Sequence, residues 1–336
     1  MQKPQWIVAI GASAGGVEAL RALFTHLPAD TAAAFLVVLH IPPSAPSHLE
    51  QVLGRCTAMP VSTPDEGDML QPDHVYVASA DLHLTVREGR ICQNRGPKES
   101  RARPSVDVLF RSVALAWGAH TIGVVLSGML DDGTAGAWSI KEHAGIVMVQ
   151  DPSGAMYPSM PSSAMAHVAV DFVGSAEELA AEIGRRVATS AQPEPEATAM
   201  SSIHRTETLI AEGGNALQLG VMDLGRPSRY TCPDCHGVLV QITEGSIVRY
   251  RCHTGHAFSL LALLAEVSES IDQGLWVTIR AIEERVMLLR QMAELAAEQG
   301  HRDKAADAAR AADDTELRIQ GLRDLVVDPT LFGRES

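Results

Sequence analysis

Between Trp6 and about Val173 the chain alternates short, almost continuously apolar runs with stretches whose apolar residues recur every three or four positions. The runs read WIVAI, FLVVLH, TIGVVLS and GIVMVQ. A strand covered by helices on both faces is apolar at every position rather than at alternate ones. These four segments therefore predict buried strands of a parallel, doubly wound α/β sheet. Between the second and third runs, HVYVASADLHLTVREGRICQ alternates and contains a Glu88-Gly89 turn signal. That pattern predicts an antiparallel hairpin decorating an otherwise mostly parallel sheet.

After an acidic helix expected over about 176–187, the composition changes to ATSAQPEPEATAM, a linker rich in Ala, Pro, Glu and Thr. Residues 229–258 form a small Cys/His-rich unit. From Leu260 onward Val267, Ile271, Leu275, Ile279, Ile282, Val286 and Leu289 recur at helical spacing, and Gly300 interrupts the pattern before a second helix to about Val327. The expected organisation is an α/β domain over 1–187, a linker with a short helix over 188–228, a zinc-ribbon-like unit over 229–258 and a helical hairpin over 259–328. No repeat of 20–50 residues is visible.

Composition narrows the chemistry. With 41 acidic against 27 basic residues the net charge is −14, so the surface repels phosphate backbones and nucleic acid is not the expected partner. The longest apolar runs fall short of the roughly 18 residues that a membrane helix needs, and MQKPQWIVAIGAS meets glycine too soon for a signal peptide. A cytoplasmic protein without membrane insertion is expected. Cys56 and Cys92 read as plain buried residues, whereas Cys232, Cys235 and Cys252 crowd together as metal ligands do.

Cys232-x₂-Cys235 is followed, after sixteen residues, by Cys252-x₃-His256. Short spacing lets both side chains of each arm reach one tetrahedral ion, which points to structural zinc. With all four positions filled by protein, no coordination site is left for water, and catalysis is expected to need no cofactor. His236 and His253 are rival ligands at poorer spacing. The alternative is a metal-free hairpin with buried thiols, which must hold so small a unit together without an ion. Around it Arg226, Arg229, Arg249 and Arg251 oppose Asp234 and Glu244, a mild positive bias better suited to protein contact than to nucleic acid.

Three polar residues fall just beyond the carboxyl ends of predicted strands, where open α/β sheets build their sites: Ser13, His40 and Asp132. A serine hydroxyl needs an imidazole to take its proton and a carboxylate to orient that imidazole. Ser13 lies in GASAG, a G-x-S-x-G elbow at a helix start. Each piece also has a plainer reading. The glycine loop could cradle a nucleotide phosphate, although the G-x-G-x-x-G fingerprint is absent; His40 could be structural; Asp131-Asp132-Gly133 could set a turn.

IGASAGGVEAL, LVVLHIPP, RPSVDVLFRSVA, VVLSGMLDDGTAGA and VQDPSGAMYPSMPSSAM, in this order, closely resemble the catalytic domain of the CheB family of chemotaxis protein-glutamate methylesterases over about residues 5–175. The resemblance implies Ser13 as nucleophile, His40 as general base and acid, and Asp132 rather than Asp131 as its partner, with the Met129 N–H and an N–H near Ala14 holding the oxyanion. It implies hydrolysis of glutamate γ-methyl esters, and in some members deamidation of glutamine, on chemoreceptors or related signalling proteins. Two departures stand out. The pattern starts within the first ten residues, which implies a form without the family's N-terminal receiver, carrying a Cys/His-rich extension instead. Ala14 stands where many members have threonine. The apolar stripe after Leu260 suits intramolecular core or a homodimer seam, with docking of receptor helices as the rival. A non-catalytic signalling scaffold acting through the zinc and helical module is the alternative function.

Overall fold

Seven strands form one wholly parallel sheet in the computed structural model, which describes residues 3–43, 47–189 and 202–328. Most of the linker stretch ATSAQPEPEATAM lies outside the described residues. The first half of the chain runs β1 (Trp6–Ala12), α1 (Gly16–His26), β2 (Ala33–Leu39), α2 (Leu49–Leu53), β3 (Val61–Ser62), β4 (His74–Val77), β5 (His83–Arg87) and β6 (Arg90–Asn94). It continues through α3 (Val106–Trp117), β7 (Thr121–Val125), α4 (Thr134–Glu142), β8 (Ile146–Gln150), α5 (Ser159–His167), β9 (Phe172–Gly174) and α6 (Ala176–Ala188). The sheet order is β3-β4-β2-β1-β7-β8-β9.

Burial explains the unbroken apolar runs. Along β1, Trp6, Val8 and Ile10 enter a core with α1 and α6, while Ile7 and Ala9 enter a second core with α3, α4 and α5. The apolar side chains of β1 thus alternate between two buried faces. The expected hairpin is smaller than its sequence pattern: only β5 and β6 pair antiparallel, closing at Glu88 and Gly89, both with positive φ. HVYV is instead β4, parallel to β2, because Val75, Tyr76 and Val77 are buried on both sides. Cys56 and Cys92 are half-buried, not fully buried as expected.

Helices α3 and α4 start beside each other and cap one another. Asp132, just before α4, accepts the backbone N–H groups of Val106 (2.8 Å) and Asp107 (3.0 Å) and the Ser105 hydroxyl (3.0 Å), all at the start of α3. Asp107 in turn accepts the N–H groups of Gly133 (2.9 Å) and Gly136 (2.6 Å) at the start of α4. Each carboxyl thereby satisfies orphan donors at the positive end of a helix. The two groups do not share the negative charge equally. Burial raises Asp132, but its many donors, His40 first among them, outweigh that and hold it below the usual carboxylate range. Burial and the neighbouring Asp132 charge push Asp107 well above that range.

A second, antiparallel sheet follows α7 (Ser202–Ala211): β10 (Arg226–Thr231), β11 (Val238–Glu244), β12 (Ile247–Cys252) and β13 (Ala257–Ser259), in that spatial order. Buried charges join it to the parallel layer. Arg251 on β12 bonds Glu99 at 2.6 Å and Glu207 on α7 at 3.0 Å; Arg249 bonds Glu207 at 2.7 Å; Arg111 on α3 bonds Glu99 at 2.8 Å. Glu244 completes the balance by pairing with Arg249. Opposite charges in this number offset the cost of taking guanidinium and carboxylate groups out of water.

The chain divides into compact units Met1–Leu263 and Leu264–Ser336, the boundary falling in the first turn of α8 (Leu260–Glu298). In the second unit Ile279 and Val286 of α8 are buried, as are Ala312 and Ile319 of α9 (Arg302–Val327). Ion pairs Arg290–Glu316 and Arg323–Glu283 link the two helices. The helical stripe is therefore buried at Ile279 and Val286, whereas Val267 and Ile271 are exposed.

Burial and the Asp132 charge disfavour ionisation of Asp107, and the two N–H groups it accepts can equally donate to an amide oxygen, so Asp107→Asn should change stability by less than about 1 kcal/mol. Asp132→Asn turns an amide toward N–H donors and should cost about 1–3 kcal/mol. Urea unfolding of both variants checks this, and equal losses would contradict the unequal charge of the pair.

Candidate active site

Ser13 sits at the end of β1, in the middle of the parallel sheet, where the neighbours β2 and β7 lead away in opposite directions. Such a reversal opens a crevice above the strand ends. The turn into α1 is tied on both sides: the Ser13 N–H donates to Ser127 O at 2.9 Å, and the Gly16 N–H donates to Ser13 O at 2.9 Å. Gly15 has φ +70, and a side chain there would meet Ser127 Oγ at 2.7 Å and Met156 Cβ at 2.8 Å, so the elbow requires glycine. The Ser127 hydroxyl locks the turn further, donating to Ala14 O at 2.8 Å and accepting from the Tyr157 N–H at 3.0 Å. Ser13 Oγ itself makes no hydrogen bond among the described residues.

His40 follows β2, its N–H donating to Ala12 O at 3.1 Å. Its Nε2 is 2.8 Å from Asp132 Oδ2, with the imidazole 20% exposed and the carboxylate 3% exposed. Asp132 thus receives His40, Ser105 Oγ and the N–H groups of Val106, Asp107 and Gly133, five donors in all. Asp131 turns elsewhere and accepts the Ser259 hydroxyl at 2.6 Å; burial raises it above the usual carboxylate range. Of the two adjacent aspartates, Asp132 is the one that meets His40.

Ser13, His40, Asp132 and Met129 line one cavity of about 390 Å³. Pro42 and Pro43 form one wall and the loop from Lys98 to Pro104 another. The N–H groups of Ala14 and Met129 donate to no acceptor among the described residues, so both remain available. A hydroxyl and an oriented imidazole lining one cavity, with spare N–H donors there, are the groups that acyl transfer uses. Sequence reading missed Asp107, Ser105 and Ser127. Ser105-x-Asp107 ahead of VLF is a helix-start signal that could have marked the first two. Nothing local marks Ser127, whose partners are distant in sequence.

The ligand atoms of Cys232, Cys235, Cys252 and His256 all lie within 4.8 Å of one another. Cys235 Sγ is 3.6 Å from Cys252 Sγ, and His256 Nδ1 is 3.6 Å from Cys252 Sγ and 3.7 Å from Cys232 Sγ. An ion bound tetrahedrally at about 2.3 Å would set such edges near 3.8 Å, so the group fits a metal. His236 and His253 stay outside the group. Arg249 and Arg251, counted above toward a positive surface, are buried in the ion cluster and contribute nothing to an exposed patch.

A family model described as CheB methylesterase matches residues 8–183. A protein-glutamate methylesterase/protein-glutamine glutaminase 2 of Methanosarcina mazei is 38% identical over 185 residues, 53% of this chain and 50% of that protein. A protein of the same description from Xanthomonas oryzae pv. oryzae is 40% identical over 162 residues, 47% of this chain and 45% of that one. The chain spans about half the length of the curated relatives it matches. The crystal structure of the Thermotoga maritima CheB methylesterase catalytic domain superposes with a TM-score of 0.52 at 30% identity, covering 54% of this chain and 98% of that domain. The matched stretch begins in β1, ends in α6 and takes in Ser13, His40 and Asp132, and since it accounts for more than half of the residues, the chain belongs to the CheB methylesterase family.

Proposed function

We propose that the chain hydrolyses glutamate γ-methyl esters on chemoreceptors or related signalling proteins, and glutamine side-chain amides at such positions. The observation that carries this reading is the His40–Asp132 hydrogen bond of 2.8 Å at the cavity that Ser13 also lines. The names of the relatives, methylesterase and glutaminase, point to the two leaving groups.

With Nε2 held by Asp132, Nδ1 is the ring atom left to take a proton from Ser13 Oγ. Ser13 attacks the γ-carbonyl carbon, and His40 becomes imidazolium, stabilised by the Asp132 carboxylate. The N–H groups of Ala14 and Met129 hold the oxyanion; one such donor is typically worth about 10²–10³ in rate. Collapse of the tetrahedral intermediate breaks the bond to methoxide, which leaves as methanol with the proton from His40. Water, deprotonated by the same imidazole, then releases glutamate and restores Ser13. The amide reaction differs only in expelling ammonia.

The Cys232, Cys235, Cys252 and His256 group is read as a structural zinc site. When bound, the ion supplies folding free energy to the β10–β13 sheet, since four protein ligands leave it no position for a reacting water. Thiolate ligation favours a reducing compartment, in keeping with cytoplasmic receptor helices as substrate. The exposed apolar positions of α8 and α9, Trp276 and Leu288 among them, support a further role in pairing with a second copy.

Two outcomes are expected. Ser13→Ala should lower methanol release from a methylated receptor fragment by about 10⁶-fold and abolish labelling by a serine-directed phosphonate. Wild-type protein that neither labels nor turns over would favour the scaffold reading, and labelling that persists in the variant would remove Ser13 as the nucleophile. Cys252→Ser should lose stoichiometric zinc by atomic emission and lower Tm; unchanged metal content would remove the zinc reading.

A further inference from the structure

The metal-binding turn of the second sheet and the wall of the Ser13 cavity are in direct contact. Cys252 and His256 bound the turn, which closes on itself through Cys252 N–H to His256 O (3.0 Å) and Gly255 N–H to Cys252 O (2.9 Å). Gly255, at φ +104, packs so closely on Pro97 that a side chain there would meet Pro97 Cγ at 2.7 Å. Arg251, wholly buried, donates to Gly255 O at 2.8 Å and to Glu99 at 2.6 Å, bridging turn and loop.

The residue next to the ligand His256 continues the link. Ala257 N–H donates to Lys98 O at 3.1 Å, and Ser100 N–H donates to Ala257 O at 2.8 Å. Lys98 and Ser100 are residues of the cavity wall. Two positions on, the Ser259 hydroxyl donates to Asp131 at 2.6 Å, gripping the segment that carries Met129 and Leu130 on another side of the cavity.

We propose that the metal group is the anchor of a brace that positions two walls of the substrate cavity, so that metal occupancy sets how well substrate is held. Ala257, Ser259, Arg251 and Glu99 are its positioning residues, and none of them is assigned to the chemical step. Ser13, His40 and Asp132 have ties of their own, through Ser127 and the start of α3, so loss of the brace acts on binding more than on the reacting groups. The inference rests on the zinc reading for its ion and on the esterase reading only for its kinetic arm.

The test is amide hydrogen exchange on the full chain, zinc-loaded and after chelation with metal loss verified. Exchange in peptides covering 97–103 should quicken by about tenfold or more while β1 and α1 stay protected. Unchanged exchange with zinc gone overturns the brace. Should chelation unfold β1 as well, Ser259→Ala, which keeps all four ligands, decides. It should retain zinc and raise KM for a glutamyl methyl ester peptide by about tenfold with kcat changed less than about threefold. An unaltered KM overturns the brace. Zinc-loaded protein without turnover, whose 97–103 exchange still responds to metal, sustains the brace and sinks the esterase reading instead.

Discussion

A carboxylate buried to 3% exposure survives as an ion only if donors surround it, and Asp132 has five. Four of those donors come from the backbone and hydroxyl groups that begin α3 and α4. The same atoms that start two helices thus hold the charge that orients His40. Because α3 and α4 pack on one face of the sheet, any displacement of either would move the carboxylate relative to the ends of β1 and β2. Burial and the neighbouring Asp132 charge disfavour ionisation of Asp107. Asp107 accepts the N–H groups of Gly133 and Gly136 in turn, so the two carboxyls between them satisfy both helix starts.

The second constraint is the cluster of Arg111, Arg249 and Arg251 with Glu99, Glu207 and Glu244. Burying any one of these alone would be strongly unfavourable, and together they require α3, α7, β12 and the loop before α3 to be in place at once. In this cluster burial raises Glu207, and three guanidinium groups more than reverse that, holding it well below the usual range. This interdependence explains a mismatch between ancestry and architecture. The family match ends at residue 183, yet the compact unit continues to Leu263. The β10–β13 sheet is joined to the family domain through the buried charges of β12, not as a bead on a tether.

That attachment bears on the site. The elbow and its imidazole belong to the parallel sheet, while one cavity wall, from Lys98 to Pro104, is shared between that sheet's helix-entry loop and the added one. The cavity that Ser13 and His40 line is therefore walled by both sheets' connections.

Local order was legible from residues alone. Continuous apolar runs gave the buried parallel strands, GASAG the elbow, the acidic helical stretch over about 176–187 α6, Gly300 the break between the last helices, and the paired Cys and His arms the metal group, because each depends on neighbours a few positions away. The short strands β3 and β9 and the parallel placement of HVYV were not legible, since two or three residues carry no period and pairing is chosen by the sheet. That Asp132 rather than Asp131 meets His40 followed from the family resemblance and not from local pattern, whereas the opposite shifts of Asp107 and Asp132, and that Arg251 finds Glu99 across 152 positions, were decided only by the tertiary structure. The cause is physical: a strand or turn is fixed by local sterics and burial period, whereas the ionisation and partner of a buried charge depend on every donor and charge that folding brings within a few ångströms of it.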